Sequence, residues 1–212
     1  MSSPSTIAAL RSLVAAWNPP ARPPSGVPTG VRAIDELLGG GLPTGQLTEV
    51  VCAPGTGGQS VLAQLLETTR AARQRVALID AADAFAPEAV PLEVLRHLVW
   101  ARCRHLTEAL AAADVLLRDG NYAVVLLDLR DVPASALNRT PSTRWHRLHR
   151  VAERQPAAVA VFSRSGLVPA VRWRLELGGR RSLAGPRQTR GQWLEDLPVQ
   201  ASRGFLAEEL TA

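Results

Sequence analysis

The residues with the clearest potential for chemistry form a glycine-rich segment, Ala53-Pro54-Gly55-Thr56-Gly57-Gly58-Gln59-Ser60. A phosphate-binding loop uses glycines to expose backbone N–H groups, a lysine to reach the β and γ phosphates, and a Ser or Thr hydroxyl to bind Mg²⁺. Here the last glycine of that pattern is Gly58, the lysine position holds Gln59, and Ser60 supplies the hydroxyl. The segment therefore has the frame of a phosphate-binding loop without its cation.

All 24 basic residues of the chain are arginines, so no lysine of this chain can replace the missing one, whereas an arginine from this chain or a partner can. A hydrogen bond to a charged group contributes roughly 1.5–3 kcal/mol. We therefore expect nucleotide binding to be weaker by about ten- to a hundredfold, since about 1.4 kcal/mol is a factor of ten. Turnover should suffer more, because stabilising the transferred phosphoryl group dominates such catalysis.

Asp128 is a further candidate ligand, because it follows the apolar run Val124–Leu127, where phosphate-loop proteins place a carboxylate that holds Mg²⁺ through water. The alternative is an aspartate that caps the turn at the end of a strand. The sequence thus predicts a remnant nucleotide site with no catalytic residue, no metal site and at most weak binding of ATP and Mg²⁺. Its candidate residues are Gly55, Gly57, Gly58, Gln59, Ser60 and Asp128.

The elements that position these residues follow from hydrophobic spacing. An apolar run from Leu47 to Cys52 predicts a strand before the glycine-rich segment, and apolar residues at helical spacing predict a helix from Ser60. The other predicted elements are strands at 76–80, 98–102, 122–128 and 157–163, helices at 106–119 and 142–154, and strands at 171–177 and 188–197. This alternation predicts an α/β fold with a mainly parallel sheet flanked by helices, and the last two strands predict an antiparallel carboxyl-terminal edge.

The chain is predicted to contain an amino-terminal helix and proline-rich linker at 1–29, a core domain at 30–197 and a short tail at 198–212. Apolar residues recur at helical spacing over 6–17, and the five prolines of 18–28 favour an extended chain. Such a tether lets the helix dock on a separate protein, and docking on its own core is the alternative. The apolar stripe consists of Ile7, Leu10, Val14 and Trp17.

The approach to the glycine-rich segment resembles that of the RecA/KaiC superfamily of phosphate-loop proteins. The resemblance rests on Val27-Pro28-Thr29-Gly30 and on Ile34-Asp35-Glu36-Leu37-Leu38-Gly39-Gly40-Gly41-Leu42-Pro43-Thr44-Gly45, and it extends over about residues 26–177. RecA ends its second strand with Ile-Asp-Ala-Glu, whose glutamate activates the attacking water, whereas this chain has Ile79-Asp80-Ala81-Ala82. The resemblance therefore implies a RecA-like domain that has lost its base as well as its lysine and does not hydrolyse ATP.

A closer resemblance, over nearly the whole chain, is to the ImuA family of RecA-like accessory proteins in bacterial damage-induced mutagenesis. It rests on Leu98-Val99-Trp100-Ala101-Arg102, on the helix from Glu108 to Arg118 and on Val171-Arg172-Trp173-Arg174-Leu175. The resemblance implies an adaptor of the DNA-damage (SOS) response and translesion synthesis. Its partners would be RecA, an ImuB-type Y-family-like protein and an error-prone DNA polymerase. The alternatives are a small ATPase with an arginine supplied in trans and a module that binds single-stranded DNA.

The carboxyl-terminal third is strongly basic, because residues 139–212 hold 13 arginines against 6 acidic residues, whereas 1–138 hold 11 against 13. Trp145 and Trp173 are interleaved with these arginines, and the two residue types suit phosphate contacts and base stacking. Segment 163–170 is too short for RecA's second DNA-binding loop, which argues against RecA-type strand binding. DNA, an acidic protein surface and a solvated face remain the three interpretations. The candidate contacts are Arg144, Arg147, Arg172, Arg174 and Arg180.

The remaining patterns predict a cytoplasmic protein without membrane contact. No apolar run approaches the ~20 residues of a membrane span, and no basic segment precedes an apolar block at the amino terminus. Cys52 and Cys103 lie in apolar runs and are predicted to be buried reduced thiols. His146 and His149 have a spacing that suits a metal pair, but arginines on the same predicted helix repel cations, so we expect a polar helix face.

Overall fold

The structure is a computed structural model that describes residues 26–179 and 189–204. Its strands are β1 (Gly26–Val27), β2 (Leu42–Pro43), β3 (Leu47–Val51), β4 (Val76–Asp80), β5 (Leu98–Arg102), β6 (Val124–Asp128), β7 (Ala158–Ser163), β8 (Trp173–Leu177) and β9 (Val199–Arg203). Its helices are α1 (Arg32–Leu37), α2 (Gly58–Ala71), α3 (Leu92–Leu95), α4 (Leu106–Asp119), α5 (Ala134–Arg139), α6 (Ser142–Ala152) and α7 (Arg190–Glu195), with a 3-10 turn at Pro87–Ala89.

Seven strands form one sheet in the order β5-β4-β6-β7-β3-β8-β9, and β1 pairs with β2 in a small antiparallel ribbon. All neighbours from β5 to β8 are parallel, and only β9 runs antiparallel, against β8. The expectation of a mainly parallel α/β sheet with an antiparallel carboxyl-terminal edge is confirmed, and the fold is RecA-like.

The central strands are apolar on both sides because helices cover both faces of the sheet. β4, β6 and β7 are buried along their full length. Side chains alternate between the faces, so Leu78 packs in the cluster that contains α2, whereas Ile79 packs in the cluster that contains α4 and α6. This arrangement brings the carboxyl ends of β3, β4, β6 and β7 to one edge, where ligands of open α/β sheets bind.

The carboxyl-terminal edge is built from other residues than the sequence pattern predicted. Residues 188–197 contain α7 instead of a strand, and the edge strand is β9. The helix begins with a capping box, in which the Thr189 side chain accepts a hydrogen bond from the Gln192 N–H and the Gln192 side chain accepts one from the Thr189 N–H. This local pattern outweighs the alternation of arginine and apolar residues that suggested a strand.

The folded core extends past both predicted boundaries. Val27 and Thr29 are buried, and β9 at 199–203 completes the sheet, so the boundaries at 30 and 197 are too narrow. The predicted helix with Ile7, Leu10, Val14 and Trp17 lies outside the described residues. Cys52 and Cys103 are free and buried, as predicted. None of the helices in 26–179 and 189–204 is long and apolar enough to cross a membrane.

Candidate functional site

The glycine-rich segment connects β3 to α2 at the carboxyl edge of the sheet. Gly55 and Gly57 adopt φ angles of 83° and 93°, a left-handed conformation in which glycine carries no steric cost. Gly57 is the amino-terminal cap of α2, so the first N–H groups of the helix, from Gly58 onward, have no carbonyl of the preceding turn to bind. The loop therefore keeps the backbone geometry of an anion cradle.

A cleft of about 590 Å³ lies over this loop, a volume within the ~300–1,000 Å³ typical of small-molecule sites. The predicted residues Gly55, Gly57, Gly58, Gln59 and Ser60 all line it. The lining also includes side chains that sequence analysis did not assign to the site, among them Arg130, Asp131 and Arg164.

Arg130 follows the end of β6, and its side chain extends into this cleft. There it contacts Asp128 and Gln59, which lie at the positions predicted to bind Mg²⁺ and phosphate. Its Nε donates to Asp128 Oδ1 at 2.8 Å and its Nη2 donates to Asp128 Oδ2 at 2.5 Å. The same Nη2 donates to Gln59 Oε1 at 2.8 Å. One guanidinium thus bridges Gln59, at the predicted lysine position, and the strand-end carboxylate of Asp128.

The electrostatics of this pair keep Arg130 charged. Burial disfavours its charge, but the hydrogen bonds and the attraction of Asp128 outweigh burial and raise the pKa of the guanidinium above its ordinary value. Asp128 is only 3% exposed. Because the carboxylate is already neutralised by a bidentate partner, it does not fit the role of a free magnesium ligand. The residues present therefore do not match the usual binding mode of Mg²⁺-ATP.

Asp128 also accepts a hydrogen bond from the Arg130 backbone N–H at 3.2 Å, which is the turn-capping contact considered as its alternative role. The signal in the sequence was the triplet Asp128-Leu129-Arg130. A single residue, Leu129, separates the cation from the acid, so both can be held on one tight turn after a strand.

Trp193 of α7 packs against the glycine-rich loop at Gly57. A Cβ added to Gly57 would come within 1.7 Å of Trp193 Cη2, so only glycine fits beneath the ring. An ion pair between Arg190 and Glu67 ties α7 to α2. Trp193 therefore packs against the candidate site and also lines its cleft.

Cys52 lies beneath the loop, where a Cβ added to Gly58 would be 2.5 Å from its Sγ. Burial raises the pKa of the Cys52 thiol to about 12. The thiol therefore stays protonated at neutral pH and is a packing group, not a nucleophile.

Ala82 stands where the RecA resemblance places a general base. Ala82 is exposed, and it follows Asp80, which is fully buried. The Asp80 carboxylate accepts hydrogen bonds from the backbone N–H groups of Ala84 at 3.0 Å and Phe85 at 2.7 Å. Asp80 therefore holds the loop after β4 and has no geometry for activating a water above the phosphate loop.

The basic residues predicted to contact DNA or a partner do not form one surface. Arg144 and Arg147 are exposed on α6, whereas Arg172 is half-buried beside the start of β8, where its N–H donates to Leu47 O at 2.8 Å. Arg180 lies outside the described residues.

Arg174 is an internal residue of the sheet, which corrects its assignment to a binding surface. Its Nε donates to Glu49 Oε2 at 2.8 Å and its Nη2 donates to Val168 O at 3.1 Å. Glu49 is fully buried and also accepts a hydrogen bond from Ser163 Oγ at 2.7 Å. A buried carboxylate needs such a partner, so Arg174 is held in place by Glu49.

The aromatic residues of the basic region are not arranged for base stacking. Trp145 is 1% exposed and packs in the core beneath α6, so it cannot meet a nucleobase. Trp173 is half-buried with the Arg203 guanidinium 5.4 Å from its ring centroid. His149 is also buried, with Nε2 3.2 Å from Glu153 Oε1, instead of lying on a polar face. Within 26–179 and 189–204, no group of three His, Cys, Asp or Glu side chains could hold a metal ion.

Comparison with known proteins points to RecA. The RecA of Streptomyces avermitilis is 32% identical over 112 residues, 51% of this chain and 30% of that protein. The RecA proteins of Frankia alni and Mycobacterium marinum are 35% and 36% identical over 111 and 110 residues, 50% of this chain and 32% of each. These matches support a distant relationship to the RecA-like superfamily. The matched segment spans about a third of each RecA. No family model matches the chain.

Proposed function

We propose that this protein is a non-hydrolysing RecA-like accessory protein of DNA repair, which acts in the cytoplasm in the DNA-damage (SOS) response and translesion mutagenesis. The observation that carries the loss of hydrolysis is the bridge from Arg130 to Asp128 and Gln59. The similarity to RecA supports the link to DNA repair. The ImuA resemblance supports RecA, an ImuB-type Y-family-like protein and an error-prone polymerase as partners.

The first test measures Mg²⁺-dependent ATP binding and hydrolysis by the full chain and by Arg130→Gln, which keeps a hydrogen-bond donor for Asp128. We expect no hydrolysis by either protein. If Arg130 occupies the site of the metal and phosphates, Arg130→Gln strengthens binding of Mg²⁺-ATP by about tenfold, the value of one charge-assisted contact. Turnover comparable to that of an ordinary RecA would contradict the proposal.

A second candidate function is a nucleotide-binding protein in which an arginine of this chain replaces the lysine. The observation in its favour is the same 2.8 Å contact, because it holds the Arg130 guanidinium at Gln59, the lysine position. In that case Arg130→Gln weakens ATP binding instead of strengthening it. The sign of the change in affinity therefore distinguishes the two candidates.

The partner side of the proposal is tested by RecA binding in the absence of nucleotide. We expect the full chain to bind, and we expect Leu10→Ala/Trp17→Ala to lose about two decades of affinity, because burying each side chain contributes roughly 1.5–3 kcal/mol. Equal affinity of both proteins would assign the helix to packing on its own core. Absence of any RecA binding would contradict the adaptor role itself.

A further inference from the structure

Helices α4 and α6 pack side by side on one face of the sheet and leave a groove along their outer surface. The groove consists of two adjoining clefts of about 400 and 360 Å³. Leu110, Val115 and Leu148 form its floor, and Val115 is 66% exposed. Leu110 and Leu148 are 7% and 2% exposed, so Val115 presents most of the aliphatic surface that another molecule could contact.

The rim of this α4–α6 groove is cationic. It is formed by Arg118, Arg144, Arg147, Arg150 and Arg154. Asp114, the acidic residue that lines the groove, is shared between Arg118 at 2.9 Å and Arg147 at 3.5 Å.

Three of these guanidinium groups are available to a partner. Arg144, Arg150 and Arg154 are without an ion-pair partner among the described residues. The rim is therefore under-neutralised along α6 and at its carboxyl end, where these three arginines are exposed.

The aliphatic floor and the cationic rim together favour a protein over a nucleic acid as the partner of this groove. Single-stranded DNA would need an exposed aromatic surface for stacking, and the aromatic residue of α6, Trp145, is 1% exposed. An aliphatic floor between two helices suits the aliphatic stripe of a third helix, and the arginines along α6 that have no ion pair among the described residues suit acidic residues beside that stripe.

We propose that the α4–α6 groove binds an acidic amphipathic helix of a partner protein. The proposal deepens the adaptor function by giving the partner's chemistry. The groove shares no lining residue with the phosphate-loop cleft. A failed test of the groove therefore leaves the result for ATP unaffected.

The experiment titrates the full chain against a fluorescein-labelled helical peptide of about 18 residues, five turns, with leucines along one stripe and glutamates beside it. Fluorescence anisotropy is recorded at low and at physiological salt. We expect saturable binding that weakens with salt, and no binding of a peptide with the same composition but a scrambled stripe. Val115→Glu and Arg144→Glu should each weaken binding by about tenfold or more, because each places a like charge against the peptide.

Arg75→Glu is the matched control, because Arg75 is exposed and lies beside α2 with Arg70 and Arg96, away from the groove. We expect it to bind as the wild type does. Equal affinity of all four proteins would overturn the proposal. So would binding of an oligothymidylate that Arg144→Glu abolishes while the peptide fails to bind, because the groove would then be a DNA surface. Peptide binding that appears only in Glu208→Gln/Glu209→Gln would assign the groove to the chain's own tail and overturn it as well.

Discussion

The phosphate-loop cleft and the α4–α6 groove are both lined by arginines, but they use them in opposite ways. Arg130 in the cleft is largely buried and bound to Asp128, whereas Arg144 at the groove is exposed and has no ion-pair partner among the described residues. The cleft arginine belongs to the acidic part of the sequence and the groove arginines mostly to the basic part. The difference teaches that an arginine is available to a partner when no acid lies within reach, whatever the charge of its neighbours in sequence.

The largest expected effect comes from breaking the pair in the cleft. Arg130→Ala should lower the free energy of unfolding by about 3–5 kcal/mol, because it leaves the buried Asp128 carboxylate without a counter-charge. The double variant Arg130→Ala/Asp128→Asn removes the unpaired charge and should recover most of that loss. Urea unfolding of the three proteins measures both values. A single variant as stable as the double variant would show that solvent, and not Arg130, neutralises Asp128.

A smaller effect is expected from the contact between the loop and α7. Gly57→Ala forces a side chain into a left-handed backbone and against Trp193, and it should cost roughly 1–3 kcal/mol. Gly191→Ala is the control, because an added Cβ at Gly191 meets nothing within 4 Å and α7 is helical there. Thermal unfolding should rank Gly191→Ala at or above the wild type and Gly57→Ala below it. The reverse order of thermal stabilities would mean that Trp193 does not pack tightly against Gly57.

At the groove the effects should be smaller and dependent on pH. The Arg118 side chain, by its hydrogen bond, holds the pKa of Asp114 below its ordinary value. The stability contributed by Asp114 is therefore present at neutral pH and is lost as pH falls through its lowered pKa. Asp114→Asn should lower the free energy of unfolding by about 0.5–1 kcal/mol at neutral pH, and this difference should disappear as the pH falls through the lowered pKa of Asp114. Asp119→Asn is the control at neutral pH, because the Asp119 carboxylate has no ion pair among the described residues and accepts a hydrogen bond from the Asn121 amide.

The smallest effect is expected for Arg144→Ala, which should change the free energy of unfolding by less than about 0.5 kcal/mol, as is usual for exposed residues. Chemical unfolding at two salt concentrations checks this value. A loss above about 1 kcal/mol would place Arg144 in a structural role and remove it from the rim that binds a partner.

The sequence predicted the elements whose signals are local and periodic. The runs at 76–80 and 98–102 predicted β4 and β5 with their observed bounds, because strands of a parallel sheet are recognisable as short, strongly apolar segments. The prediction of an edge strand at 188–197 was wrong, because a capping box and an alternating pattern competed over a few residues. Val199–Arg203 is half exposed, and its pattern is too weakly apolar to stand out as an edge strand.

The candidate site was predictable only where its residues lie in one segment. Gly55, Gly57, Gly58, Gln59 and Ser60, which lie in one segment, line the cleft. Arg130 is 71 residues from Gln59, and Arg174 is 125 residues from Glu49, so nothing in the local sequence shows that these groups meet. Counting arginines gave only the net charge of the region. It could not separate those that neutralise an internal acid from those that face outward.

The Glu49–Arg174 pair also constrains how the sheet is assembled. Glu49 on β3 lies directly opposite Arg174 on β8, at the last parallel pairing of the sheet. If β8 shifted by one residue, Arg174 would point to the other face of the sheet, and Glu49 would remain buried without a counter-charge. Misaligned forms would then be worse by several kcal/mol than the aligned one, because desolvating an unmatched carboxylate is that unfavourable. The pair thus favours one register of β8 against β3, at a place where aliphatic side chains alone would permit more than one.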